Sequence, residues 1–111
     1  MEDKERQRYI LFKIISEGGI NERDFISAIW KNIYQLYGDV GASQTGLWLV
    51  EYEKDRYGII RTNLQGVVMV KTTLAMIRRI YEQNCILVVI GTSGTIHALK
   101  KKHLAKIVSN S

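Results

Sequence analysis

The groups in this 111-residue chain with reactive chemistry to offer are two histidines, one cysteine and eleven carboxylates. His97 and His103 lie six apart. Metal-binding histidines on one helix sit about three or four apart, so this spacing argues against a zinc site. Cys85 stands at the entrance of the apolar run Ile86-Leu-Val-Val-Ile90 and reads as a buried core thiol. As a lone cysteine it excludes an internal disulfide. Asp39, Glu51, Glu53 and Asp55 would hold a metal only if folding converged them, and two-metal nuclease chemistry needs clustered carboxylates. The residues therefore assign no catalytic group and no metal site.

A second group of residues suits anion binding. Gly91-Thr-Ser-Gly-Thr95 reads as a tight turn from a strand into a helix start. Glycines there permit close approach, and N–H groups at a helix start point at anions. Ser93 or Thr95 serves as a cap. The stretch lacks the Gly-Lys-Ser/Thr of a phosphate-binding P-loop, and a plain strand–turn–helix junction explains it equally well. The segment Ile96-His-Ala-Leu-Lys-Lys-Lys-His-Leu-Ala-Lys-Ile-Val108 comes next. Ile96, Leu99, Leu104, Ile107 and Val108 give it an apolar side. Lys100, Lys101, Lys102, His103 and Lys106 spread over the rest. A basic amphipathic helix suits a phosphate backbone, and this one is short and lacks the aromatic anchors of a membrane-surface helix.

The charge distribution agrees with that preference. The chain carries +5 overall. Met1 to Asp55 holds seven Lys/Arg against ten Asp/Glu, a balance of −3, whereas Arg56 to Ser111 holds nine against one, a balance of +8. A basic half of this kind favours a polyanion, most often nucleic acid. The aromatic residues add little: Arg56-Tyr-Gly-Ile-Ile-Arg61 lacks the aromatics of an RNA-recognition-motif strand, and Trp30, Trp48 and Tyr52 read as packing residues. Arg61 interrupts an apolar strand, placed either to reach RNA or to face water.

The elements that must position these groups emerge from changes of hydrophobic period. Tyr9 to Ile15 reads as a first strand, broken by Gly18-Gly19. Asn21 caps a helix with Ile26, Ile29, Trp30 and Ile33 at helical spacing, ending near Gly38. Residues 38–46 read as a loop by their glycines. Leu47 to Tyr52 and Ile59 to Thr62 form a hairpin about a turn at Asp55-Arg-Tyr-Gly58. Val67, Val70, Leu74, Ile77 and Tyr81 mark a second helix. Ile86 to Ile90 reads as a strand buried on both faces. Strand, helix, strand, strand, helix, strand and a final helix give an α+β, ferredoxin-like (βαββαβ) domain. Its four-stranded antiparallel sheet carries an added C-terminal helix, and one domain spans 1–111. No apolar run approaches the roughly 20 residues of a membrane span, and the charged start Met1-Glu-Asp-Lys-Glu-Arg is unlike a signal peptide, so a cytoplasmic protein with no membrane partner is expected.

Three segments, in order, resemble the archaeal and eukaryotic ribonuclease P protein component 2 family. They are Arg8-Tyr-Ile-Leu-Phe-Lys-Ile-Ile-Ser16, Gly58-Ile-Ile-Arg61, and Gly91-Thr-Ser-Gly-Thr-Ile96 followed by Leu99-Lys-Lys-Lys. Ala28-Ile-Trp30 and Gly38-Asp-Val-Gly41 stand between them, so the resemblance covers nearly the whole chain. It implies a non-catalytic subunit of an RNA-based endoribonuclease. That complex removes the 5′ leader of precursor tRNA, and the RNA with its Mg²⁺ performs the cleavage, leaving no cofactor on the protein. The implied partners are the ribonuclease P RNA, precursor tRNA through the complex, other ribonuclease P proteins and the TIM-barrel component 3, two copies of each forming a heterotetramer. Carried over by position, Gly91, Thr92, Ser93, Gly94 and Thr95 and the basic residues Lys100, Lys101, Lys102, His103 and Lys106 face RNA, with Arg8, Lys13 and Arg61 as secondary contacts. His97 stands where many relatives show Lys or Arg. The alternative is a ferredoxin-like protein–protein module that never touches RNA.

Overall fold

A computed structural model describes residues 6–105 and 107. These residues form one antiparallel sheet and three helices. The strands are β1 (Gln7–Ser16), β2 (Trp48–Glu53), β3 (Tyr57–Asn63), β4 (Arg79–Ile80) and β5 (Gln83–Ser93), in spatial order β2-β3-β1-β5-β4. Helix α1 (Glu22–Ser43) links β1 to β2, and α2 (Val67–Met76) links β3 to β4. The helix α3 (Ile96–Leu99) continues as a π-helical turn over Lys100–Leu104. Without the two-residue β4, this is the expected βαββαβ arrangement with its extra C-terminal helix.

Several local expectations give way to tertiary geometry. Asn21 caps α1 as expected, its side chain accepting the Asp24 N–H at 2.8 Å. Gly38 does break the helix, at φ 76° and ψ 177°, a backbone state that suits glycine. The chain then returns to helix over residues 39–43 instead of forming a loop through residue 46. Buried Thr45 anchors the passage from α1 into β2: its hydroxyl donates to the Ala42 carbonyl, and its own carbonyl accepts from the Thr62 hydroxyl. The hairpin turn lies at residues 54–56, with Asp55 at φ 67°. Gly58 belongs to β3, where the Phe12 ring occupies the space a Cβ would need. Helix α2 stops at Met76 because Ile77 turns extended and Arg79–Ile80 pairs with Gln83–Asn84.

One face of the sheet is covered by α1 and α2, and the other in part by the C-terminal helix. Even-numbered residues of β1 face α1 and α2. There Ile10, Phe12 and Ile14 meet Phe25, Ile29 and Ile33 of α1 and Val70 and Leu74 of α2. Phe12 and Phe25 stack at 5.1 Å, and Phe25 and Tyr52 at 5.4 Å, a favourable offset arrangement. Odd-numbered Leu11 faces the other way and joins Tyr57 and Ile59 beneath Leu99 and Ile107 of the C-terminal helix. Strand β5 is therefore not buried on both faces: Cys85 and Leu87 enter the larger core, while Ile86 is 51% and Val88 38% exposed. No helix among the described residues is long and apolar enough to cross a membrane.

Candidate nucleic-acid interface

The strand pairing sorts the second face of the sheet into cross-strand rows, because directly opposed residues of antiparallel strands point the same way. The first row is Ser93–Tyr9–Arg61–Trp48 and the next is Gly91–Leu11–Ile59–Glu51. The third is Val88–Lys13–Tyr57–Glu53, and the last pairs Ile86 with Ile15. The C-terminal helix lies across the second row. Its Lys100 reaches Glu51 on β2, with Nζ and Oε1 2.8 Å apart. Its His103 ring lies on Gly91 of β5, in the space a Cβ would fill. Ile96, Leu99 and Leu104 supply the apolar underside, as their spacing predicts. Val108 lies outside the described residues.

This placement divides the sequence-derived candidates. Gly91, Thr92 and Ser93 are not a turn; they are the last three residues of β5. Gly91 makes room for His103, so these two candidates meet each other. The Thr92 side chain turns toward the larger core, opposite Ile10, and its buried hydroxyl has no hydrogen-bond partner among the described residues. Ser93 Oγ accepts the Thr95 N–H at 3.4 Å, and Thr95 Oγ1 accepts the Ala98 N–H at 3.1 Å, so Thr95 is the cap of α3. Gly94 is exposed beside the Arg8 guanidinium, which donates to the Gln7 carbonyl at 2.9 Å. Lys101 and Lys102 are exposed, and Lys100 and His103 are half-buried. Lys13 is half-buried in the third row, between Val88 and Tyr57. Lys106 lies outside the described residues.

Glu51 is the group that ties the basic helix down. Tyr57 donates its hydroxyl to Glu51 Oε2 at 2.5 Å, opposite the Lys100 contact on Oε1. Burial alone would push the Glu51 carboxyl up, but the hydrogen bonds from Lys100 and Tyr57 outweigh it and hold the carboxyl below its ordinary value of 4.5. Burial, and then Glu51 itself, push the Tyr57 hydroxyl up to about 12. Burial likewise pushes the Cys85 thiol up, which suits a core residue 5% exposed. Among the described residues, no three His, Cys, Asp or Glu side chains gather around a point fit for a metal ion.

Trp48 corrects the reading of the tryptophans as packing residues: its side chain stands 62% exposed at the outer end of the first row. Trp30 does pack, half-buried against the core and 5.8 Å from Tyr34. The signal was present in Leu47-Trp-Leu49. Once both leucines point into the core, the residue between them must point outward.

Residues 8–104 match the model of the Rpp14/Pop5 family. Ribonuclease P protein component 2 of Pyrococcus furiosus is 35% identical over 104 residues, covering 93% of this chain and 87% of the relative. The protein of the same name from Methanocaldococcus jannaschii is 37% identical over 101 residues, covering 91% of this chain and 75% of the relative. A chain in the cryo-EM structure of yeast ribonuclease MRP superposes with a TM-score of 0.68 over 86% of this chain and 79% of its own length. At 10% identity that likeness speaks for the shared fold alone.

Proposed function

Because this chain belongs to the Rpp14/Pop5 family, we propose that it is a protein subunit of ribonuclease P that binds the catalytic RNA and supports removal of the 5′ leader from precursor tRNA. In this reading the protein carries no active site; the RNA and its Mg²⁺ break the bond. The partners are the ribonuclease P RNA, component 3 in a heterotetramer with two copies of each, and the other protein subunits, all in the cytoplasm of an archaeal cell.

One observation carries the RNA-binding part. The C-terminal helix lies across the sheet with Lys101 and Lys102 outward, and the acid beneath it, Glu51, is already neutralised by Lys100. The outer surface of the helix therefore keeps its positive charge for a polyanion. Each phosphate neutralised releases counterions and steepens the salt dependence of binding.

The test is a salt titration of affinity for the ribonuclease P RNA. The expected outcome is a steep fall with salt, less steep in a Lys101→Ala/Lys102→Ala variant. Unchanged affinity and slope in that variant would remove the helix from the interface. Cleavage of precursor tRNA by the purified protein with no RNA subunit would overturn the non-catalytic reading.

A further inference from the structure

We infer that the groove between α1 and the edge strand β2 docks an extended segment of a different protein, one that carries a large apolar side chain beside a lysine or arginine. The inference is independent of the RNA-binding reading, because the groove opens on the α1 side of the sheet and α3 lies on the other. Phe25, Ile29 and Ile60 are its buried floor, and the half-buried Ile26, Trp30 and Leu49 are its walls. Its volume is about 160 Å³. Pockets for whole small molecules measure about 300–1,000 Å³, whereas a cavity of about 150 Å³ holds one benzene ring. The groove therefore suits one large side chain.

The edge strand decides the shape of the occupant. β2 ends the sheet, and among the described residues no strand lies beyond it. A segment laid along such an edge pairs its backbone with the strand and sends alternate side chains toward the groove. The bulge between Leu49 and Glu51 interrupts the edge, so the paired stretch is short and open-ended sheet growth is disfavoured. Charge decides the chemistry of the occupant. Glu22 is the one charged residue among those lining the groove, and it is exposed. Glu53, also exposed, stands on the same edge strand. Arg61 follows Ile60 in β3 and points to the opposite face. A phosphate would meet an apolar floor and a carboxylate, which repel it. A lysine or arginine next to an apolar residue meets both partners it needs. A second copy docked about a two-fold axis would bring its own Glu22 and Glu53 to the same edge, so the occupant is a different chain.

Phage display of random dodecapeptides against the full-length chain tests this. Selected peptides should share a large apolar residue next to Lys or Arg, and hydrogen exchange in β2 should slow when a synthetic copy of one binds. Ile26→Gln should weaken that peptide about tenfold. Glu22→Lys, at an exposed position, serves where Ile26→Gln fails to fold. It should weaken the peptide a few-fold and, in a fresh selection, replace the basic flank with an acidic one. Selection of no peptide, or equal affinity in wild type, Ile26→Gln and Glu22→Lys, would overturn the docking site. Displacement of the peptide by decauridylate would make the groove an RNA site instead. A fall in the sedimentation coefficient of the wild-type chain on adding peptide would make it a contact between copies. The salt titration of ribonuclease P RNA with Lys101→Ala/Lys102→Ala reads the other face, so either reading can fail alone.

Discussion

On the face covered by α1 and α2, Phe12, Phe25 and Tyr52 stack in series amid a broad set of buried aliphatic side chains. On the opposite face a small cluster, Leu11, Tyr57, Ile59, Leu99 and Ile107, holds the C-terminal helix, helped by one ion pair and one histidine laid on a glycine. One sheet thus supports two unequal attachments. The larger core fixes the fold. The smaller one fixes where Lys101 and Lys102 stand relative to the sheet. A helix held by few apolar contacts opens at lower free energy than the rest of its domain. The surface assigned to RNA is therefore the one whose geometry a ligand can most easily reinforce.

The sharpest way to break this contrast is to damage each face in turn. Phe25→Ala removes the middle ring of the stack and should cost about 3–5 kcal/mol of global stability in urea unfolding. Leu99→Ala, at a site 0% exposed, should cost about 2–3 kcal/mol. Its loss of hydrogen-exchange protection should be confined to α3 while β1 and α1 stay protected. Equal loss of protection in α1 would show the two attachments to be one cooperative unit.

A smaller effect tests Gly91. Gly91→Ala drives a Cβ into the His103 ring and should cost about 1–2 kcal/mol. His103→Ala should relieve most of that cost in a double-mutant cycle. Additive effects would mean that the glycine answers to something other than the histidine.

Glu51 supplies a pH signature. Its carboxyl sits below 4.5 in the folded protein, so the unfolded chain binds its proton more readily. The stabilisation is then complete above about pH 4.5 and is lost as pH falls through the lowered folded value. Glu51→Gln should flatten that part of the acid limb and cost below about 1 kcal/mol at neutral pH, because the pair is partly solvated. The smallest change in stability belongs to Lys101→Ala/Lys102→Ala, within about 0.5 kcal/mol. That same variant should lower the RNA salt slope by about 1.5 to 2.

The sequence by itself determined the order of the βαββαβ elements and the final helix, though not the two-residue β4, together with the Asn21 cap, the helix break at Gly38, the apolar underside of the last helix and the concentration of positive charge after Arg56. Each depends on a local period, a side chain capping its own helix, or composition, so no distant contact was needed to read it. The tertiary structure decided which face of the sheet the basic helix covers, that Lys100 is taken by Glu51, that Gly91 and Gly58 serve a histidine and a phenylalanine ring instead of turns, and that Trp48 faces outward. These are pairings between residues far apart in the chain. A glycine or a lysine looks the same in sequence whether its neighbour in space is water, an RNA phosphate or another part of its own fold. Register across β1, β3 and β5 chooses among those neighbours, and register exists only once the strands have met.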